Sequence, residues 1–185
     1  MLQVPQLPAN FQLLYGEQQI AEAVRGLGRQ TSAWAAEVWR QSHTHILAIP
    51  ILRGAIFFFA DLVRQIEHSV EIAPARAWAY EKNLNPQPVI KLNLEAIPAR
   101  GRAVLLVDDI CDSGRTLHAL KNAVLEAGAL VVKSVVLVKR MSAGETFEPD
   151  WAAFKYPGAE WLVGYGMDDG DRWRNLPAIY VIKQS

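Results

Sequence analysis

The 185-residue chain has a single cysteine, Cys111. That excludes an intramolecular disulfide framework and any cysteine-rich zinc site, and a reducing, cytoplasmic setting is expected. Charge imbalance is missing too. Nineteen basic residues balance nineteen acidic ones, so no broad field draws the chain to nucleic acid. Long apolar runs are absent. A stretch such as Ala55–Ala60 falls far short of the ~20 residues a membrane helix needs. The first ten residues, MLQVPQLPAN, have no basic start and two prolines, which does not fit a signal peptide. Neither a repeat nor a low-complexity tract is present. What remains is 51% hydrophobic and 21% charged, the balance of a globular chain. One domain of this size buries roughly 70% of its unfolded-chain surface, enough for a core without staples.

Hydrophobic spacing gives an order of elements. Ile20, Val24, Leu27, Thr31, Trp34 and Val38 step by three and four, which predicts an opening helix. His45–Leu52 is an apolar run with the pattern of a strand buried on both faces. After Gly54 a helix is expected to about His68. Ser69–Tyr80 is broken by Pro74 and then alternates as a strand. Glu81–Pro88 reads as a mobile connection. Ala103–Val107 is an apolar strand, Asp108–Arg115 a polar turn, and Thr116–Ala127 a helix closed by Gly128. Val131–Val138 is the next strand. This strand, loop, helix, strand order is a βαβ unit and predicts an α/β fold around a parallel sheet. The 20 residues 141–160 read as loop, and 161–165 and 178–182 as late short strands.

Ligands of such sheets bind beyond the carboxyl ends of the strands. The segment 108–116 lies at one such end. Ser113, Gly114, Arg115 and Thr116 lead into a helix N-terminus, where free amides and the helix dipole favour a phosphate. Asp108 and Asp109 form a carboxylate pair suited to sugar hydroxyls or a divalent cation. Helix capping explains one or two of these residues, not nine in a row. No GxxxxGK[ST] occurs, so this is not a Walker loop.

These residues resemble a known signature. VLLVDDICDSGRT is similar to the phosphoribosyl-pyrophosphate (PRPP) motif of type I phosphoribosyltransferases. Ile51–Ala55 with FFFADLVRQI resembles the pyrophosphate loop and following helix of the hypoxanthine-guanine phosphoribosyltransferases. Val138-Lys139-Arg140, PDWAAFKYP, WLVGYGMDD and RWRNLPAIYVI resemble the later segments of that family, in the same order. The resemblance implies a type I phosphoribosyltransferase fold in one domain spanning 1–185. Its core would be residues 40–160, and a small hood would come from 1–20 and 160–185.

The implied activity is purine salvage: transfer of the phosphoribosyl group from PRPP to N9 of hypoxanthine or guanine, with Mg2+. Asp112 would be the catalytic residue at purine N7. The PRPP loop would be Asp108, Asp109, Ile110, Cys111, Asp112, Ser113, Gly114, Arg115 and Thr116. Arg53, Gly54 and Arg174 would meet the pyrophosphate, and the Leu52–Arg53 peptide is often cis in the family. Lys139 would bond the 6-oxo group, Trp161 would stack on the base, and Leu162 and Asp168 would complete its site. Asp108, Asp109 and Asp168 would serve magnesium, partly through water or PRPP. A homodimer or homotetramer is expected, with no nucleic-acid or membrane partner.

Four departures from the family pattern stand out. Asp108 replaces a usual Glu, Arg115 and Arg53 replace usual Lys, and Ala79-Tyr80 replaces a loop Ser-Tyr pair. Arg and Lys differ at bidentate sites. Two other readings share the motifs: a xanthine-preferring enzyme, and a pyrimidine-operon RNA-binding attenuator with uracil phosphoribosyltransferase activity. The second needs a basic surface. His43 and His45 lack a third metal ligand nearby, Cys111 reads as a packing residue, and Trp34, Trp39, Trp78 and Trp151 read as core or subunit contacts.

Overall fold

The computed structural model describes residues 7–73, 75–80, 89–92, 97–141 and 147–183. The chain opens on a strand, β1 (Phe11–Tyr15), before the helix α1 (Glu17–Ser42). Next come β2 (Ile46–Leu52), α2 (Ile56–Val63), β3 (Val70–Ile72), β4 (Ala75–Tyr80) and β5 (Val89–Leu92). The expected connection Glu81–Pro88 lies outside the described residues. Then follow β6 (Ala103–Cys111), α3 (Arg115–Glu126), β7 (Val131–Arg140), β8 (Trp151–Tyr156), β9 (Trp161–Val163) and β10 (Ile179–Ile182).

Among the described residues, the main sheet runs β5-β4-β2-β6-β7-β8, with β3 pairing the start of β2. Every pair except β4–β5 is parallel. The α/β class read from the βαβ unit is the observed one. One face carries α1 and α2, where Trp34, Phe58 and Leu62 pack with Leu105, Val107 and Leu137. The other carries α3, where Leu117, Leu120 and Val124 meet Val104, Leu106 and Val136. Burying such a side chain contributes about 1.5–3 kcal/mol, so all three helices are held by the sheet rather than by propensity. A second sheet, β1-β10-β9, is antiparallel and joins the two ends of the chain.

Four expectations are corrected. Among the described residues β1 precedes the helix, because Phe11–Leu13 find a partner in β10, 167 or more positions away in sequence. The second helix stops at Val63, not His68, since tertiary bonds take over the backbone. Ser32 Oγ donates to the Gln65 carbonyl at 3.4 Å and accepts from the Glu67 amide at 3.1 Å. The third strand does not end at Val107. It continues through Asp108, Asp109 and Ile110 to Cys111, paired with β7 as far as Lys139. Inside the stretch read as loop, Trp151–Tyr156 forms the edge strand β8 on β7.

The tryptophans divide. Trp34 is buried, and Lys133 lays its ammonium over both Trp34 and Trp151, at 5.3 and 4.9 Å from the ring centres. Trp39 is exposed and stacks on His45 at 4.8 Å. The side chain of Trp78 lies outside the described residues.

Candidate active site

Strand β6 carries its two acids to the carboxyl end of the sheet, and the chain then turns through Asp112–Gly114 into α3. Gly114 is the N-cap, at φ 76°, and no side chain caps the helix there. Its backbone favours glycine, and so does the space: a Cβ would lie 2.6 Å from Phe147 Cβ. Residues 108–117 line a hollow of about 240 Å3 in front of the first-turn amides. Amides so placed, with the positive end of the helix dipole, suit a phosphate.

Asp108 and Asp109 are both nearly buried, and the Asp109 amide donates to Asp108 Oδ1 at 3.1 Å. Burial pushes the Asp108 carboxyl well above the usual carboxylate range, and the neighbouring Asp109 charge pushes the same way. Burial also raises Asp109, against the pull of the Arg174 charge. The pair therefore carries an electrostatic cost that a cation or hydroxyl donors would relieve.

Three distant segments meet at this pair. The Leu52–Arg53 peptide at the end of β2 is cis. A Cβ on Gly54 would fall 2.2 Å from Asp109 Oδ2, and one on Gly166 would fall 2.0 Å from the Gly54 carbonyl oxygen. Only bare backbone lets β2, β6 and the loop after β9 close this tightly. At the outer side Arg53 is ion-paired with Asp171. Arg174 reaches Asp168 at 2.6 Å and Asp171 at 3.4 Å, and donates to the Gly166 carbonyl at 2.7 Å.

A second hollow, of about 180 Å3, is lined by Asp109, Ile110, Asp112, Arg140, Trp161, Leu162, Met167 and Asp168. Trp161 stands 60% exposed at its rim and donates from Nε1 to the Asp168 carbonyl at 2.7 Å. Asp112 is ion-paired with Arg140. Arg140 is anchored in turn by the Gly158 carbonyl at 2.5 Å and lies over the Tyr156 ring. The Tyr156 hydroxyl donates to Glu160 at 2.6 Å, and burial with that bond pushes its pKa up to about 12. Asp109, Ile110 and Asp112 belong to both hollows.

Residues 18–169 match the phosphoribosyl transferase domain family. The chain belongs to this family. This phosphoribosyltransferase is 30% identical to the hypoxanthine-guanine phosphoribosyltransferase of Aquifex aeolicus over 175 residues, 94% of this chain and 95% of that protein. It is 31% identical to the Bacillus subtilis protein of the same name over 173 residues, 92% of each. A crystal structure of a hypoxanthine-guanine phosphoribosyltransferase from Bacillus anthracis superposes with a TM-score of 0.75 at 27% identity, covering 92% of this chain and 97% of that one. The type I phosphoribosyltransferase fold expected from the motifs is the fold observed.

The phosphoribosyltransferase brings most of the expected site residues into one cleft, Arg53 and Gly54 included. Lys139 stands apart. It is fully buried, and its amine donates to the Phe147 carbonyl at 3.3 Å, with Cys111 Sγ and Glu148 Oε2 each 4.0 Å away. Neighbouring strand residues point to opposite faces. The cation lining the base-sized hollow is thus Arg140, one position on. Arg140, Phe147, Met167 and Asp171 were not singled out from the sequence. Strand alternation beside Lys139 signals the first. The Asp168, Asp171, Arg174 spacing signals the last. Cys111 is buried, which pushes its thiol up to about 11, the setting of a packing residue.

Among the described residues no cluster of three His, Cys, Asp or Glu side chains forms a metal cage. No described helix is long and apolar enough to cross a membrane.

Proposed function

We propose that this phosphoribosyltransferase transfers the 5-phosphoribosyl group of PRPP to N9 of hypoxanthine or guanine, giving IMP or GMP and pyrophosphate. One observation carries the reading: the phosphate-sized and base-sized hollows share the wall Asp109, Ile110 and Asp112. A ribose bridging them would present its C1′ to the base at that wall. Full-length relatives that bear the hypoxanthine-guanine name support the same choice.

In this reading the α3 amides with Ser113, Gly114, Arg115 and Thr116 bind the 5′-phosphate. Asp108 and Asp109 hold the ribose hydroxyls. Arg53, Gly54 and Arg174 take the pyrophosphate. The base lies between Trp161 and Ile110, with Leu162 and Asp168 at its edge. Lys139, whose amine rests on the Phe147 carbonyl, takes the 6-oxo group only by leaving that bond, and Arg140 is the cation already lining the hollow. The C1′–O bond to pyrophosphate breaks as the bond from N9 forms, and the charge passes to the leaving diphosphate. Asp112 accepts the proton that purine N7 loses as N9 bonds to C1′. A placed acid–base group of this kind contributes typically ~10²- to 10⁴-fold in rate.

Magnesium fits the donor set. Two adjacent buried carboxylates, both raised by burial, favour a cation, and hard oxygen ligands suit Mg2+. With no three-residue cage among the described residues, the ion would be shared with PRPP oxygens, and Asp108, Asp109 and Asp168 would hold it. When bound, it would neutralise charge on the leaving diphosphate.

The reading also includes a cytoplasmic homodimer or homotetramer made of one catalytic domain, its hood built from the chain ends. The test is product identification: chromatography of a mixture of hypoxanthine, PRPP and Mg2+. IMP and pyrophosphate in equal amounts, lost in excess EDTA, are expected. Absence of IMP contradicts the proposal.

A further inference from the structure

The two arginines assigned to pyrophosphate already converge on one acceptor. Arg53, from the end of β2, and Arg174, from the loop after β9, both meet the same oxygen, Oδ1 of Asp171. We propose that Asp171 is a resident counter-anion: its carboxylate occupies the point where these arginines focus, and the diphosphate of PRPP displaces it. The inference rests on the pyrophosphate roles given above for Arg53 and Arg174.

The local backbone is built to present this side chain. Gly170 and Asp171 stand at φ 57° and 63°, the left-handed region, which Asp and Asn tolerate better than most residues. The Asp171 amide donates to Asp168 Oδ2 at 2.8 Å, fixing the turn. Asp168 in turn grips Arg174 at 2.6 Å, so Arg174 keeps its place without Asp171. Arg53 does not: among the described residues Asp171 is its ion-pair partner.

The arrangement is also easy to open. The Arg53 and Asp171 side chains are 64% and 65% exposed. Exposed pairs of this kind are weak, so a substrate can replace the contact. A diphosphate presents several oxygens to the same guanidinium groups and forms shorter, stronger charge-assisted bonds. Asp171 thereby keeps Arg53 ordered between turnovers, and the substrate must compete with it.

Asp171→Asn keeps the shape, the left-handed backbone and the amide bond to Asp168, and removes the charge. Asp171→Gly serves as a second variant that tolerates the same φ. Asp169→Asn is the control: it removes one charge two positions away, from a side chain that makes no ion pair with either arginine among the described residues. The measurements are KM for PRPP and the Kd of magnesium pyrophosphate by titration calorimetry on the full chain. Both constants are expected to fall about two- to tenfold in the Asp171 variants, the range set by one or two exposed ion pairs, and to hold in Asp169→Asn. A merely structural Asp171 would raise them. Constants that rise or stay level in both Asp171 variants overturn the proposal, as does an equal gain in Asp169→Asn. Arg53→Ala tests the reading beneath it. Magnesium pyrophosphate bound as tightly as by the wild type would remove Arg53 from the pyrophosphate site, whatever the Asp171 variants do.

Discussion

Replacing Asp112 by Asn removes a proton acceptor and leaves the outline of the side chain. The surroundings set the size of each effect. The Asp112 side chain is 55% exposed, and its ion-pair partner Arg140 is 13% exposed. Asn can still accept a hydrogen bond from Arg140, which also keeps the Gly158 carbonyl and the Tyr156 ring. The stability loss is therefore at most about 1 kcal/mol, the scale of a half-exposed pair. For a chain of this length that is a fall in Tm of about 2–4 °C. The kinetic loss is larger. An acid–base contact made only in the transition state lowers kcat by about 10²-fold, or about 2.7 kcal/mol, within a range of roughly 10 to 10³. KM for PRPP changes much less, because the first-turn amides of α3 and Arg53 are untouched. Steady-state kinetics at saturating PRPP, with a thermal melt of the same preparation, reads both. Wild-type kcat would refute the role of Asp112. A collapse of Tm would make the residue structural instead.

Two glycines of α1 predict opposite signs. Gly26→Ala adds a methyl group to open space, where the nearest atom is Arg29 Nη2 at 3.9 Å, and stabilises by about 0.5–1 kcal/mol. Gly28→Ala would put a Cβ 2.3 Å from Gln65 Cβ and destabilises by about 1–3 kcal/mol; urea melts of both variants read the contrast. The acid pair predicts a pH effect in EDTA. Asp108 is raised in the fold, so the folded state holds more protons than the unfolded one, and stability falls as pH rises from about 4. Asp108→Asn should lose less stability than the wild type between pH 5 and 8, as monitored by urea melts, and parallel curves would contradict the shift.

The parts legible in the sequence are those where local pattern and final packing agree. The α1 face from Ile20 to Val38 packs as its spacing requires, and so do the apolar strand starting at Ile46 and the unit from Ala103 to Val138. The failures share a cause: a partner distant in sequence. Strand β1 exists because of β10, and β8 because of β7. Asp108 and Asp109 have low strand propensity, yet pairing with β7 holds them in a strand. That extension matters for the site, because it fixes both carboxylates on rigid backbone rather than on a turn. The motif at 108–116 made the phosphate hollow readable. It said nothing of the Arg140–Asp112 pair or of Asp171, which depend on the return of distant loops to the cleft.

The central claim is base choice, and a base panel tests it most directly. With PRPP and Mg2+, kcat/KM is measured for hypoxanthine, guanine, xanthine, adenine and uracil. A cation at the 6-position, the ammonium of Lys139 or the guanidinium of Arg140, has donors and no acceptor, so it suits a 6-oxo oxygen and rejects a 6-amino group. Sites built on such a bond discriminate by roughly 10⁴-fold. The account predicts high values for hypoxanthine and guanine and values lower by about that factor for adenine, with uracil inert. Comparable values for adenine and hypoxanthine, or turnover of uracil alone, would contradict it.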